Sequence, residues 1–163
     1  MIEVSEEEEE LELDFDRDET PLILKTHEKI NRNLAGEIIT FQEGYVEVRL
    51  TTTVDMLADD VGLIHGGYIF SAADFAAMAA VNEKNVVLVA SSCQFLAPVK
   101  LHNEVNFIAR VRHTEGRKRN VYVTGHVLDI KVFEGEFKTV ITERHVLKLT
   151  LTDKADAIVE KEK

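Results

Sequence analysis

The stretch that most constrains this chain is HGGYIFSAADFAAMAAVN, His65 to Asn82, where eighteen residues carry one carboxylate and no other charged side chain. Ala, Met, Phe and Ile over that length predict a helix about 27 Å long. A helix apolar on nearly every side belongs inside a core. Gly66 and Gly67 let a backbone come close to its N-terminus, where unpaired N–H groups favour developing negative charge. Asp74 is the anomaly. Its neighbours three and four residues away are Phe70, Ser71, Ala77 and Met78, and it lies past the turn in which the helix dipole would help it. Burying a carboxylate costs several kcal/mol unless it is partnered. Two readings follow: Asp74 bonds a neighbouring backbone or Ser, or faces a wet groove; or it is a general base or nucleophile beside an anion-friendly helix end.

Charge divides the chain. The formal net charge is −11, but residues 1–19 hold eleven acids and one Arg, a net of −10, so the other 144 residues sum to −1. The run Glu6 to Glu10 repels itself and predicts a disordered acidic arm over 1–19, ahead of a domain over 20–151 and a polar tail over 152–163. Such an arm is repelled by nucleic acid, so no direct DNA or RNA binding is expected. The arm shows neither a basic start nor an apolar signal core, and the central helix is too short and too Ala-rich for a membrane span. The one cysteine, Cys93, forms no internal disulfide, fits a reducing cytoplasm, and reads as core filler in a strand.

Along the chain, Thr20-Pro21 predicts the start of a short helix over Leu22–Ile30. Gly36–Phe41 and Tyr45–Thr53 predict two strands joined at Gln42-Glu43-Gly44, and residues 54–64 a loop into the central helix. Beyond the helix the apolar period becomes two. Strands are expected over Val86–Leu96, stopped by Ala97-Pro98, over Val105–Arg112, and over Val121–Val127 after a turn at Glu115-Gly116. A turn near Glu134-Gly135-Glu136 is expected before a last strand, Phe137–Leu151. Short connections imply an antiparallel meander. The result is an α+β domain, an antiparallel sheet of five to six strands wrapped around one central helix. One helix leaves sheet edges and a face uncovered, so a homodimer, or a tetramer built from dimers, is expected.

The string DDVGLIHGGYIFSAAD, Asp59 to Asp74, resembles the motif of hot-dog-fold thioesterases of the phenylacetate-degradation type, N-x-x-G-x-x-H-G-G followed by six residues and Asp. Gly62, His65, Gly66, Gly67 and Asp74 fall in register, and FLAPVK (Phe95–Lys100) and Gly116-Arg117 also look like family features. The resemblance covers roughly residues 34–151. It implies hydrolysis of an acyl-CoA or acyl-carrier-protein thioester at a site completed by the partner subunit. Gly66 would polarise the thioester carbonyl through its backbone N–H, and Asp74 would serve as base or nucleophile. The residues read alone agree, since hydrolysis needs donors at the oxyanion and a base near the carbonyl carbon. His65 reads as an orienting or capping residue, with catalysis its second reading.

Asp59 stands where many members have Asn. Beside Asp74 it would raise that residue's proton affinity; facing solvent it would change nothing. The segment Lys29 to Leu50 also resembles the effector domain of the bacterial fatty-acid-synthesis repressor, which binds acyl thioesters without cleaving them. That leaves a non-catalytic acyl-CoA-binding regulator as the competing class, and a dehydratase using His65 as a third. Coenzyme A would enter as part of the ligand, with no separate cofactor. Arg117, Lys118 and Arg119 sit on a turn, either to meet the CoA phosphates or as an ordinary solvated hairpin, with Arg110 and Arg112 nearby on a strand. Gly67 and Tyr68 would flank the substrate, whose acyl chain would run past Tyr68, Ile69 and Phe75, unless these are plain core. His27, His102, His113, His126 and His145 show no metal-ligand spacing.

Overall fold

The computed structural model describes residues 21–149, so the arm over 1–19 and the tail over 152–163 lie outside the described residues. The elements are a short helix α1 (Arg32–Ala35), strands β1 (Glu37–Gln42) and β2 (Tyr45–Thr51), the central helix α2 (Gly66–Val81), and strands β3 (Val86–Phe95), β4 (Glu104–Glu115), β5 (Lys118–Val127) and β6 (Ile130–Ile141). The six strands form one antiparallel sheet in the order β1-β2-β4-β5-β6-β3, curled around α2.

The period-two pattern does this. Val46, Val48 and Leu50 of β2, Val105, Phe107 and Ala109 of β4, and Val121 and Val123 of β5 all point inward and are fully buried. They meet a helix whose Ala72, Ala73, Ala76, Ala77, Ala79 and Ala80 are small enough to let it lie close to the sheet, while Phe75 and Met78 fill what remains. Gly125 of β5 clears the ring of Phe107: a Cβ there would sit 2.9 Å from Phe107 Cε1.

Four expectations need correction. Residues 22–30 form no helix; they are irregular, with a turn in which Ile30 N donates to His27 O at 3.2 Å, and are pinned by Asn82, whose Oδ1 accepts from Lys25 N at 2.7 Å and whose Nδ2 donates to Ile23 O at 2.9 Å. The first helix is α1, capped at its start by Asn31. The turn into the last strand is Leu128-Asp129, so β6 begins at Ile130 and ends at Ile141, ten residues short of Leu151. Gly135 is instead mid-strand, where a Cβ would meet Cys93 Sγ at 2.8 Å. Only β4-β5-β6 is a meander: β3 crosses to the far edge beside β6, and β2 pairs β4.

That last point shapes the molecule's surface. β3 is an edge strand, and its Val89 and Phe95 are 58% and 55% exposed. No helix among the described residues is long and apolar enough to cross a membrane.

Candidate active site

The N-terminus of α2 is held by a small hairpin. Leu57 bridges Ile64, Ala58 N donates to Leu63 O at 2.8 Å, and His65 N donates to Met56 O at 2.9 Å. Its other side is tied to the segment after β3 through Ile64 N to Val99 O and Leu101 N to Gly62 O, both 2.9 Å. Asp59 closes the tip: its Oδ1 accepts from the amides of Val61, Gly62 and Leu63 at 2.9, 3.0 and 3.1 Å. Those bonds, that of Leu63 foremost, hold its carboxyl below the usual range. The Asn of the family motif offers the same Oδ1, so Asp here preserves the turn.

His65 occupies the N-cap position in extended backbone (φ −63°, ψ 129°), yet its side chain makes no capping bond. Its ring is exposed, stands edge-on to Tyr68 with centroids 6.0 Å apart, and leans over Gly67, where a Cβ would lie 2.8 Å from Nε2. The side-chain capping expectation therefore fails; the ring packs against Tyr68 and Gly67 instead. At Gly66 the nearest atoms to an added Cβ are those of Phe95, at 3.5 and 3.6 Å. Space within this subunit does not demand glycine there. Among the described residues, the N–H groups of Gly66 and Gly67 have no acceptor, as expected of the first amides of a helix.

Asp74 lies two turns further along. Its Oδ1 is buried without a hydrogen-bond partner among the described residues, and burial raises its pKa to about 6. Burial is the one cause, so Asp59 contributes nothing to it. Of the two readings of Asp74, internal partnering is not what the fold provides for this oxygen. Gly66 and Asp74 are also separated by eight residues, about 12 Å along the axis. One helix cannot present both to the same carbonyl. Two helices can.

Two of the three turn basics already have acceptors. Arg117 pairs with Glu143, and Arg119 Nη1 donates to the carbonyls of Gly116 at 2.7 Å and Lys118 at 3.0 Å. Arg110 and Arg112 stack over Tyr45 and Tyr122, at 4.9 and 3.9 Å. The backbone of Lys118 starts β5, and its side chain is exposed. Among the described residues, no three His, Cys, Asp or Glu side chains approach closely enough to hold a metal.

A six-stranded sheet curled on one long helix, with a glycine-led helix tip and a lone buried acid, defines a hot-dog protein. The chain belongs to the thioesterase superfamily, whose family model matches residues 61–133. It is 35% identical over 127 residues to the acyl-coenzyme A thioesterase PaaI of Escherichia coli, covering 75% of this chain and 85% of that one. It is 50% identical over 117 residues to part of the methylthioribose-1-phosphate isomerase of Aquifex aeolicus, covering 72% of this chain but only 26% of that protein. A structure from Pyrococcus horikoshii, PH1136, superposes with a TM-score of 0.77 at 40% identity over 78% of this chain and 98% of that one. The repressor resemblance also stands: the transcription factor FapR of Thermoanaerobacter is 28% identical over 71% of this chain, which spans 58% of FapR's length.

Proposed function

We propose that this chain hydrolyses the thioester of an acyl-CoA or acyl-carrier protein, in a homodimer whose two sites each combine Gly66 of one subunit with Asp74 of the other. The observation that carries this reading is the buried, unpartnered Oδ1 of Asp74. A stability-only role would have given that oxygen a donor, because leaving a buried acceptor unmade costs about 1–3 kcal/mol. The PaaI relative supports the choice of substrate.

The chemistry balances without further groups. Asp74, mostly ionised at pH 7 with a pKa near 6, takes a proton from water as the oxygen attacks the thioester carbon. The Gly66 N–H holds the oxyanion. Collapse breaks the C–S bond, and the departing thiolate takes the proton back from Asp74. Direct attack by the carboxylate through an anhydride is the variant of the same site. Dimer formation is supported by β3, a ten-residue edge strand paired on one side only, with exposed Val89 and Phe95, which a second copy can extend.

Turnover of a panel of acyl-CoAs by wild type and Asp74→Asn tests this. Hydrolysis by the wild type alone is expected. Binding without hydrolysis by the wild type leaves the regulatory reading, which the FapR match favours.

A further inference from the structure

At the opposite end of α2 from Gly66, three chain segments converge. Asn82 straps residues 23–25 to the helix end, and Asn85 straps the segment after β6, donating through Nδ2 to Glu143 O at 3.2 Å. Between them lies a cavity of about 570 Å³ whose walls carry four cations, Lys25, Lys84, Arg144 and Lys148, against two acids, Glu28 and Glu143. Glu143 is already taken by Arg117. Among the described residues, the side chains of the four cations have no acceptor. The same region is apolar at its margins: Ile23, strapped to the helix end, is 68% exposed, and Leu147, next to the wall residue Lys148, is 63% exposed. Such a cluster of unanswered positive charge stands out in a body whose residues 20–163 sum to −1.

The opposite charge is carried by the chain itself. Residues 1–19 hold eleven acids and one Arg, and they join the body at Pro21, four residues before the wall residue Lys25. The last acids of this arm alternate with apolar residues. In an extended backbone Glu12, Asp14 and Asp16 share one face, and Leu11, Leu13 and Phe15 share the other. A segment of that pattern lying in a cleft presents carboxylates to one wall and apolar side chains to the opposite one. The cavity and its margins offer both. We propose that the acidic arm docks on this cavity of its own chain, the carboxylates of residues 12–18 meeting Lys84, Arg144 and Lys148, and the apolar face covering Ile23 and Leu147. Asp14 and Asp18 stand eleven and seven residues before Lys25, so a single reversal near Thr20-Pro21 brings them back. Closing so short a loop costs little chain entropy, and the tether holds the arm at an effective concentration on the order of millimolar. Docking also relieves the mutual repulsion of the acids. In place, the arm ties the N-terminal segment to the segment after β6. The proposal does not depend on the thioester reading, since neither Asp74 nor Gly66 takes part in it.

Zero-length carbodiimide cross-linking of the full chain tests this, with equal parts of unlabelled and nitrogen-15-labelled chain mixed before refolding and the joined peptides identified by mass spectrometry. Carboxylates of residues 12–18 are expected to join Lys84 and Lys148 within one chain; Lys25 is too near them in sequence to count. The yield is expected to fall about tenfold in salt of about 1 M, where the screening length is about 3 Å. It is expected to fall about tenfold again in Arg144→Glu, whose exposed side chain can be changed with the melting temperature kept. The control is Lys100, exposed at the Gly66 end of α2 and paired through its backbone with Leu63. No cross-links, an equal yield at Lys100, or a yield that either salt or Arg144→Glu leaves unchanged overturns the proposal. Links that join labelled to unlabelled chains as often as like chains also overturn it, in favour of docking on a second copy.

Discussion

Two acids fifteen residues apart in the chain meet opposite fates. Asp59 is exposed, its Oδ1 accepting from three backbone amides, and held below the usual carboxyl range. Asp74 is largely buried, one of its oxygens has no donor among the described residues, and its pKa rises to about 6. The first has one oxygen fully engaged in shaping a turn. The second keeps an acceptor with no donor among the described residues, the one the proposed reaction would use. Proximity to a motif does not assign a role; the state of satisfaction does.

The sharpest break of that contrast is Asp74→Asn, which keeps the shape and removes the base. A fall in kcat of about a thousandfold on any acyl-CoA the wild type hydrolyses is expected from steady-state assay. Next comes Gly66→Pro. Proline is tolerated at the first helical position, His65 before it is already extended, and an added Cβ there meets only ordinary contact with Phe95. The change deletes one N–H and keeps the helix start, so a loss of about a hundredfold in kcat is expected, with Gly66→Ala, which keeps the amide, far closer to wild type.

A stability measurement tests the same contrast with the opposite sign. The folded-state pKa of Asp74 lies above its unfolded value of 3.8, so its ionisation costs nothing below both values. The cost grows as pH rises from about 3.8 to about 6 and is complete above that. At pH 8 Asp74→Asn is therefore expected to stabilise the fold by about 1–3 kcal/mol in denaturant melts, the gain vanishing below pH 4. The smallest effect belongs to Asp59. Asp59→Asn retains the Oδ1 acceptor and is expected to be neutral, whereas Asp59→Ala releases three amides and is expected to lower kcat/KM about tenfold by loosening the turn that carries His65 and Gly66.

Much of this was legible in the residues because it is local. The apolar run of α2, the alternation of Val46, Val48 and Leu50, and the Gly-Gly step needed no neighbours to be read. What failed was non-local or depended on crowding. Gly135 looks like a turn residue but answers to Cys93 on the next strand, while the true turn uses Leu128 at φ 53°, which no propensity favours. The non-helical course at Ile23 and Lys25 is held by Asn82, almost sixty positions away. Arg117 looked free until Glu143 folded beside it. The basic cavity gathers its walls from three distant segments, so no window of sequence contains it.

The most direct test of the central claim is the titration of the Asp74 carboxyl itself, followed by carbon-13 NMR in the full chain without ligand. A midpoint near 6 is expected. A midpoint at or below the ordinary 3.8 would mean that the carboxylate has found permanent donors, and the acid would then be structural, like Asp59.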